Sequence, residues 1–400
     1  MVHAHVPPDI IYSIIDELGS DKPALQHCSL VSRSFLPPCR SHLFSNIVLS
    51  HPKPCRGLYR ALNNNPSLAC YVRDLSVISG VQAEFRGRDW VTIENTLPDV
   101  LQILHELRSF TFRNIYPRAL SWDILPLELR NGILELSFSP INAITLDHLS
   151  NLPISDFARF IHLKTLRWIN IHLDQEHYAN ARKSLTNSMG LYKSRPWGKG
   201  HLASLEIRGS ARSGHLLVDA LRHTYSPLQL NQLRELSLDG NCAFAAEVTE
   251  TAAQSLERLS WERLGADNEG LYASSPIIVG VLRTITLSTK FARDKPSDPL
   301  PSLVAALRAV SLTDRSVLEN LFILLDFTGV WKFSVTARDV EEICEYPIWR
   351  ELDTVLTSGV FTRLRIVRII LKVSDGLGEF KPLVTRQMPM LATMGVLWVT

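Results

Sequence analysis

Residues 233–241 read LRELSLDGN. Leu233, Leu236 and Leu238 fit the phrase apolar-x-x-apolar-x-apolar, whose second half alternates as a half-buried strand does. The phrase returns as VRDLSV (72–77), LRSFTF (107–112), ILELSF (133–138), LKTLRW (163–168) and LASLEI (202–207), then as LERLSW (256–261), LRTITL (282–287), LENLFI (318–323) and LRIVRI (364–369). So many copies exceed chance. Between them GLYRALNNNPSLACY (57–71), WVTIENTLPDVLQILHEL (90–107), HLLVDALRHTY (215–225) and PLPSLVAALRAV (299–310) carry apolar residues at helical spacing. Each unit therefore reads as strand, turn, helix and return.

One strand and one helix cannot enclose their own apolar sides, so neighbouring units must stack. The pattern resembles leucine-rich repeats. That resemblance implies an α/β solenoid, with a curved parallel sheet on one surface and outer helices on the other. Successive copies lie 23 residues (233 to 256) to 46 residues (318 to 364) apart, wider than the roughly 20 to 29 of regular repeats, so the array is irregular. In such repeats the residue at Asn241 bonds the backbone of the turn. Arg113, Arg167, Glu206, Arg208, Asp239 and Glu262 alternate with the inward residues, which makes them the candidate target-binding set on the sheet's open face. The carboxyl end, residues 347–373 and 383–400, reads as helix, strand, helix and short strand, closing the array.

Ahead of the first copy stands VPPDIIYSIIDEL (6–18). At about 100° per residue, Ile10, Ile11, Ile14, Ile15 and Leu18 fill an arc of roughly 140°, opposite Tyr12, Ser13, Asp16 and Glu17. Pro7 and Pro8 suit a first turn, and Asp9 favours the positive end of the helix dipole. Gly19 and Ser20 stop this helix, Asp21 caps a second with Pro23 in its first turn, and Pro37 and Pro38 begin a third that holds Leu43 and Phe44. The chain leaves through an extended NIVL (46–49). Three short helices in about 45 residues cannot hide aliphatics on several of their own faces.

This opening, with ALQHCSLVSRSFLPPCRSHLFSNIVL (24–49), resembles the F-box. There a proline, an acid and aliphatics lead into a first helix, and the whole binds the Skp-type adaptor of SCF ubiquitin ligases. Val6, Asp9 and Phe35 depart from the usual leucine, glutamate and tryptophan. The resemblance implies adaptor contact by Pro7, Pro8, Ile10, Ile11, Ile14, Leu25, Cys28, Leu30, Val31 and Phe35. Together with the array and its ending, the chain also resembles F-box-like proteins of mushroom-forming fungi. The expected organisation is an F-box-like helical domain over 1–50 and a leucine-rich-repeat-like domain over 51–400.

The bulk composition adds limits. Of 400 residues, 46% are hydrophobic and 20% charged, and 42 basic against 40 acidic groups leave a net charge of +2. No field argues for nucleic acid or membrane. Tyr192, Lys193, Arg195, Trp197 and Lys199 in LYKSRPWGKGH (191–201) mix cations with aromatics, but lack the broad basic footprint that nucleic acid needs. Cys28, Cys39, Cys55, Cys70, Cys242 and Cys344 form no C-x-x-C and read as core thiols of a reducing compartment. The start of the chain does not read as a secretory signal, and no N-x-S/T site with a permitted middle residue occurs, so the expected location is cytoplasmic or nuclear. RPWGKGH (195–201) only echoes a phosphate-binding loop, and no G-x-S-x-G elbow, H-E-x-x-H helix or EF-hand loop occurs. His172 and His177 read as surface or turn histidines.

The sequence thus predicts no enzyme, catalytic residue, cofactor or metal. The expected function is target recognition in an SCF-type ligase, with a Skp-type adaptor, and through it a cullin, as partners beside an unknown target protein. The alternative is a protein-interaction scaffold whose helical start merely caps the solenoid.

Overall fold

The computed structural model of the chain describes residues 6–19, 21–80, 89–157, 159–183, 199–223, 226–239, 244–262, 281–290, 300–311, 316–326, 341–342, 344–372 and 381–400. They form an α/β fold of parallel strands and helices, divided into two compact units, Met1–Gly200 and His201–Thr400. Asn241, Cys242, Tyr192, Lys193, Arg195 and Trp197 lie outside the described residues.

The first unit opens with α1 (Pro8–Leu18), which carries proline in its first turn. Next comes α2 (Lys22–Ser29), capped by the Asp21 carboxylate, which accepts the Ala24 N–H at 3.1 Å, and then α3 (Leu36–Ser45). Ile11, Ile15, Leu25 and Cys39 form the core of this bundle, with Leu18, Cys28, Phe35 and Leu43 packed on it. His42 Nε2 lies 2.8 Å from Asp16 Oδ1, linking α3 to α1. The last helix runs directly into β1 (Asn46–Leu49), which pairs in parallel with β2 (Asp74–Ser79). Ile47 faces Leu75 and Leu49 faces Val77, so FSNIVL (44–49) is a further copy of the strand phrase.

After α4 (Pro52–Asn64) and β2, the unit continues with α5 (Thr96–Ile103), β3 (Ser109–Asn114), β4 (Leu120–Ser121), α6 (Leu127–Glu135), β5 (Ala143–Asp147) and β6 (Leu149–Ser150). A short helix α7 (Ile154–Phe157) and β7 (Thr165–Ile169) follow. The parallel order is β1-β2-β3-β5-β7, with β4 and β6 paired beside it. Inward residues Leu75, Val77, Phe110, Phe112, Ile144, Leu146, Leu166 and Trp168 are buried. The Phe157 ring meets Trp168 edge-on at 5.6 Å.

One backbone arrangement recurs. The Arg108 and Ser109 N–H groups both donate to Arg73 O, at 2.8 and 3.0 Å; Asn142 and Ala143 both donate to Arg108 O; Lys164 and Thr165 both donate to Asn142 O. The second residue of these three phrases thus accepts two bonds from the next phrase, which locks the register. This ladder corrects one sequence expectation. ILELSF (133–138) is not a strand: it ends α6 and continues as a 3-10 turn, because Leu129, Ile133 and Leu136 bury at helical spacing. INAITL (141–146) fits the same phrase and supplies β5.

In the second unit β8 (Gly200–His201) falls at the division, and β9 (Ser204–Arg208), α8 (Ala211–Arg222), β10 (Leu228–Gln229), β11 (Glu235–Asp239), α9 (Ala245–Thr251), β12 (Arg258–Glu262) and β13 (Thr284–Lys290) follow. The unit ends with α10 (Leu300–Ser311), β14 (Asn320–Asp326), α11 (Ile348–Leu356), β15 (Ile366–Lys372), α12 (Lys381–Gln387), α13 (Pro389–Thr393) and β16 (Leu397–Val399). Its parallel order is β9-β11-β12-β13-β14-β15-β16. The same ladder runs through the Ala203, Arg234, Glu257, Arg283 and Glu319 carbonyls. Buried Asp353 on α11 accepts the Met390 and Leu391 N–H groups at 3.1 and 2.8 Å, which holds the start of α13 as an N-terminal cap does. The helix, strand, helix and short strand expected at this end are all present.

Cys39, Cys55 and Cys344 are buried, and burial pushes the Cys55 thiol up to about 11 and the Cys344 thiol up to about 12. Cys70 departs from the core reading, since it is exposed on the 3-10 turn Pro66–Tyr71.

The reassigned strand makes a prediction. Phe138 is 77% exposed whereas Ile144 is 1% exposed. Phe138→Asp should change urea-unfolding stability by no more than about 0.5 kcal/mol. Ile144→Asp should cost about 3 kcal/mol or more, because it buries an unpaired carboxylate and leaves a void.

Candidate functional site

Helix α1 has two apolar sides, and the fold uses only one of them. Ile11 and Ile15 point into the bundle, whereas Ile10 is 52% and Ile14 45% exposed. Asp9, Ile10, Ser13, Ile14 and Glu17 line a shallow cavity of about 300 Å³. Pro7 and Pro8 are exposed at the same end. A second apolar patch follows α2, where Leu30 and Val31 are 84% and 69% exposed. They sit on a turn fixed by Leu30 N–H to His27 O and Val31 N–H to Cys28 O, each at 3.0 Å.

The ten residues expected to contact an adaptor therefore divide. Pro7, Pro8, Ile10, Ile14, Leu30 and Val31 are exposed. Cys28 and Phe35 are half-buried against the bundle core. Ile11 and Leu25 are a correction: both are enclosed in that core and have no surface to offer. The 140° arc was too broad to face one way, and three helices need at least one residue from each to close around.

On the sheet, the six expected target residues fall in separate units. In the first, Arg113 on β3 and Arg167 on β7 are exposed, and Arg113 Nε lies 2.8 Å from Asp147 Oδ2. In the second, Arg208 Nε lies 2.5 Å from Glu206 Oε1, and Arg208 Nη2 lies 3.0 Å from Glu262 Oε1. Asp239 is the second correction. It stands opposite Glu262 on the neighbouring strand, on β11 between β9 and β12, and is buried. Most of this set is thus spent on pairing with its own sheet. The turn-bonding role assigned to Asn241 is filled in the described residues by Asn114, whose side-chain N–H donates to Arg118 O at 2.7 Å and whose Oδ1 accepts the Tyr116 N–H.

Two features escaped the sequence reading. The outward positions of β14 to β16 hold Phe322, Leu324, Ile366, Ile370 and Trp398, where the earlier strands of the second unit carry Ser, Thr and charged groups. Phe322 inside LENLFI was a legible signal. The other feature joins turns distant in sequence: His177 Nδ1 lies 2.8 Å from Asp174 Oδ1 and its Nε2 3.0 Å from Asp123 Oδ2, while Asn151 bonds both carboxylates. His148 and Asn151 in the neighbouring turns adopt positive φ, 59° and 60°, a region that a short polar side chain tolerates better than most. His172 packs edge-on against His148, and burial lowers its pKa.

Among the described residues no group of three or more His, Cys, Asp and Glu is arranged to hold a metal ion. No helix among them is long and apolar enough to cross a membrane. No protein-family model matches this chain, and no curated protein matches it.

The hydrogen bond to Asp174 and the Asp123 charge raise His177 above its ordinary 6.5, against the effect of burial. Backbone and ring hydrogen bonds from His177 in turn lower Asp174. A raised histidine adds stability that is complete below about 6.5 and lost as pH rises through the folded-state value. The groups are exposed, so salt screens the effect. Ring-proton NMR should show His177 titrating above 6.5, with Asp174→Asn moving the midpoint back toward it and added salt narrowing the difference.

Proposed function

We propose that this chain is an F-box-type substrate-recognition subunit of an SCF ubiquitin ligase. Its helical start would dock on a Skp-type adaptor and its leucine-rich-repeat-like sheet would hold a target protein. The single observation that carries the reading is the exposure of Ile10, Ile14, Leu30 and Val31 on a bundle that has already closed its own core. A helical start that served only as a cap would turn these side chains onto the first strands. The contact with the rest of the unit runs instead through α3, which packs on the 3-10 turn Pro66–Tyr71 and leads into β1. Capping and docking thus use different sides of one bundle.

The energetics set a condition. Covering what is now open of these four aliphatics is worth about 4–7 kcal/mol gross, comparable to the several kcal/mol lost on association. Stable docking therefore also needs Pro7, Pro8, the margins of Cys28 and Phe35, and polar contacts around Asp9 and Glu17. The mechanism is positioning: a held target presents its lysines at high effective concentration to ubiquitin activated elsewhere in the complex. This chain would supply geometry, and the reacting groups would belong to other subunits.

Ile14→Asp and Leu30→Asp each place a charge on the exposed patches without touching the bundle core. Both should keep the parental melting profile and lose at least tenfold in capture of a purified Skp-type adaptor and of cullin. Capture at the parental level by both variants would refute the assignment.

A further inference from the structure

The last three strands of the second unit carry a surface unlike the rest of its sheet. In register, Phe322 on β14 stands opposite Arg368 on β15, and Arg368 opposite Trp398 on β16. Strand alternation puts all three on the open side, because Leu321, Ile323, Val367, Ile369 and Val399 between them are buried. Trp398 is 58% exposed, Arg368 is exposed and Phe322 half-buried. Leu324 faces Ile370 in the next row, and Asn320 faces Ile366 in the row before. On β13 the same rows hold Thr284, Thr286 and Ser288, so the apolar strip begins at β14.

Among the described residues the guanidinium in the middle of this strip has no answering charge. Elsewhere on the sheet of this unit cations meet carboxylates, Arg208 with Glu206 and Glu262, and Arg258 with Glu235. Among the described residues Arg368 makes no ion pair or side-chain hydrogen bond, and the side chains in register with it are aromatic. Asp326 lies in the row of Lys372, four residues along the strand, roughly 13 Å away.

An isolated cation set in apolar surface selects its ligand from two directions. A purely apolar ligand would bury Arg368 without a partner, at a large desolvation cost. A small anion alone would leave Phe322, Leu324, Ile370 and Trp398 in water. A carboxylate flanked by large apolar groups satisfies both, since the flanks exclude water from a pair that an arginine fork can make bidentate. We infer that this end of the sheet recognises an extended protein segment carrying an acidic side chain between two large apolar ones. The inference rests on reading the sheet face as the target-holding surface, and it names the class of target.

The test uses the full chain and labelled synthetic peptides with Asp or Glu at the centre and Phe, Leu or Ile two residues to either side, so that all three side chains share one face. Fluorescence polarisation should show micromolar binding, weakened at least tenfold when the central residue is Asn or Gln. Arg368→Gln should produce the same loss with the acidic peptide and none with its amide version, and Trp398→Ala should weaken binding at least fivefold. Both variants should melt with the parent and still capture the Skp-type adaptor, whereas Ile14→Asp should keep the peptide and lose the adaptor. Equal binding of acid and amide peptides, or full binding by Arg368→Gln, would overturn the inference. So would preferential binding of single-stranded RNA, or a dimer abolished by Trp398→Ala in a chain that binds no peptide. Loss of adaptor capture by the parent with peptide binding intact would sink the ligase reading and leave this site standing.

Discussion

In eight strand phrases a single carbonyl accepts two N–H groups from the next phrase, and the rest of the fold hangs on that doubled bond. It occurs at Arg73, Arg108 and Asn142 in the first unit and at Ala203, Arg234, Glu257, Arg283 and Glu319 in the second. Because side chains alternate with period two, a slip of one residue would turn every inward Leu, Ile, Phe or Trp outward. The doubled acceptor sets the register before the strand begins. The apolar columns then follow: Leu75, Phe110, Ile144 and Leu166 in one, and Val77, Phe112, Leu146 and Trp168 in the next. Connections between strands can vary widely in length, since loop-closure cost grows only slowly with length.

A single bond at the corresponding position joins the amino-terminal bundle to the sheet, through Arg73 N–H to Ser45 O at 3.0 Å. This tie uses the end of α3 and the start of β1, which leaves the outer side of α1 and the turn after α2 without a task inside the fold. A bundle this small closes around four buried residues, Ile11, Ile15, Leu25 and Cys39. Its further aliphatics are surplus to its own stability, and the proposed adaptor docking rests on that surplus. The adaptor reading and the capping reading differ over that surplus and agree about α3.

Charge on the sheet follows a comparable logic. Arg113 with Asp147 on the neighbouring strand in one unit, and in the other Arg208 with Glu206 on its own strand and with Glu262 two strands away, neutralise one another. A ligand that displaced such pairs would lose about as much as it gained. Only a few side chains of a surface carry most of its binding energy, and these are commonly aromatic or arginine. Phe322, Arg368 and Trp398 answer that description better than the paired charges chosen from alternation alone.

The strand phrase was legible wherever its apolar positions were occupied and its neighbours were not helical. Period and residue type report burial directly, so parallel strands, intervening helices and the closing helix-strand pattern could be read from LRELSL and its relatives. ILELSF and INAITL show the limit: both fit the phrase eight residues apart, and only the carbonyl of Arg108 decides between them, by bonding Asn142 and Ala143. On the amino-terminal helix, the sequence by itself determined that the isoleucines are more than one side can bury. Tertiary structure alone decided that Ile11 and Ile15 go in and Ile10 and Ile14 stay out, because that choice depends on where α2 and α3 lie. The pairing of His177 with Asp123, and the row from Phe322 to Trp398, likewise bring together residues tens of positions apart. A one-dimensional pattern carries the periodicity of each element, but contact between elements is set by packing, which no local period encodes.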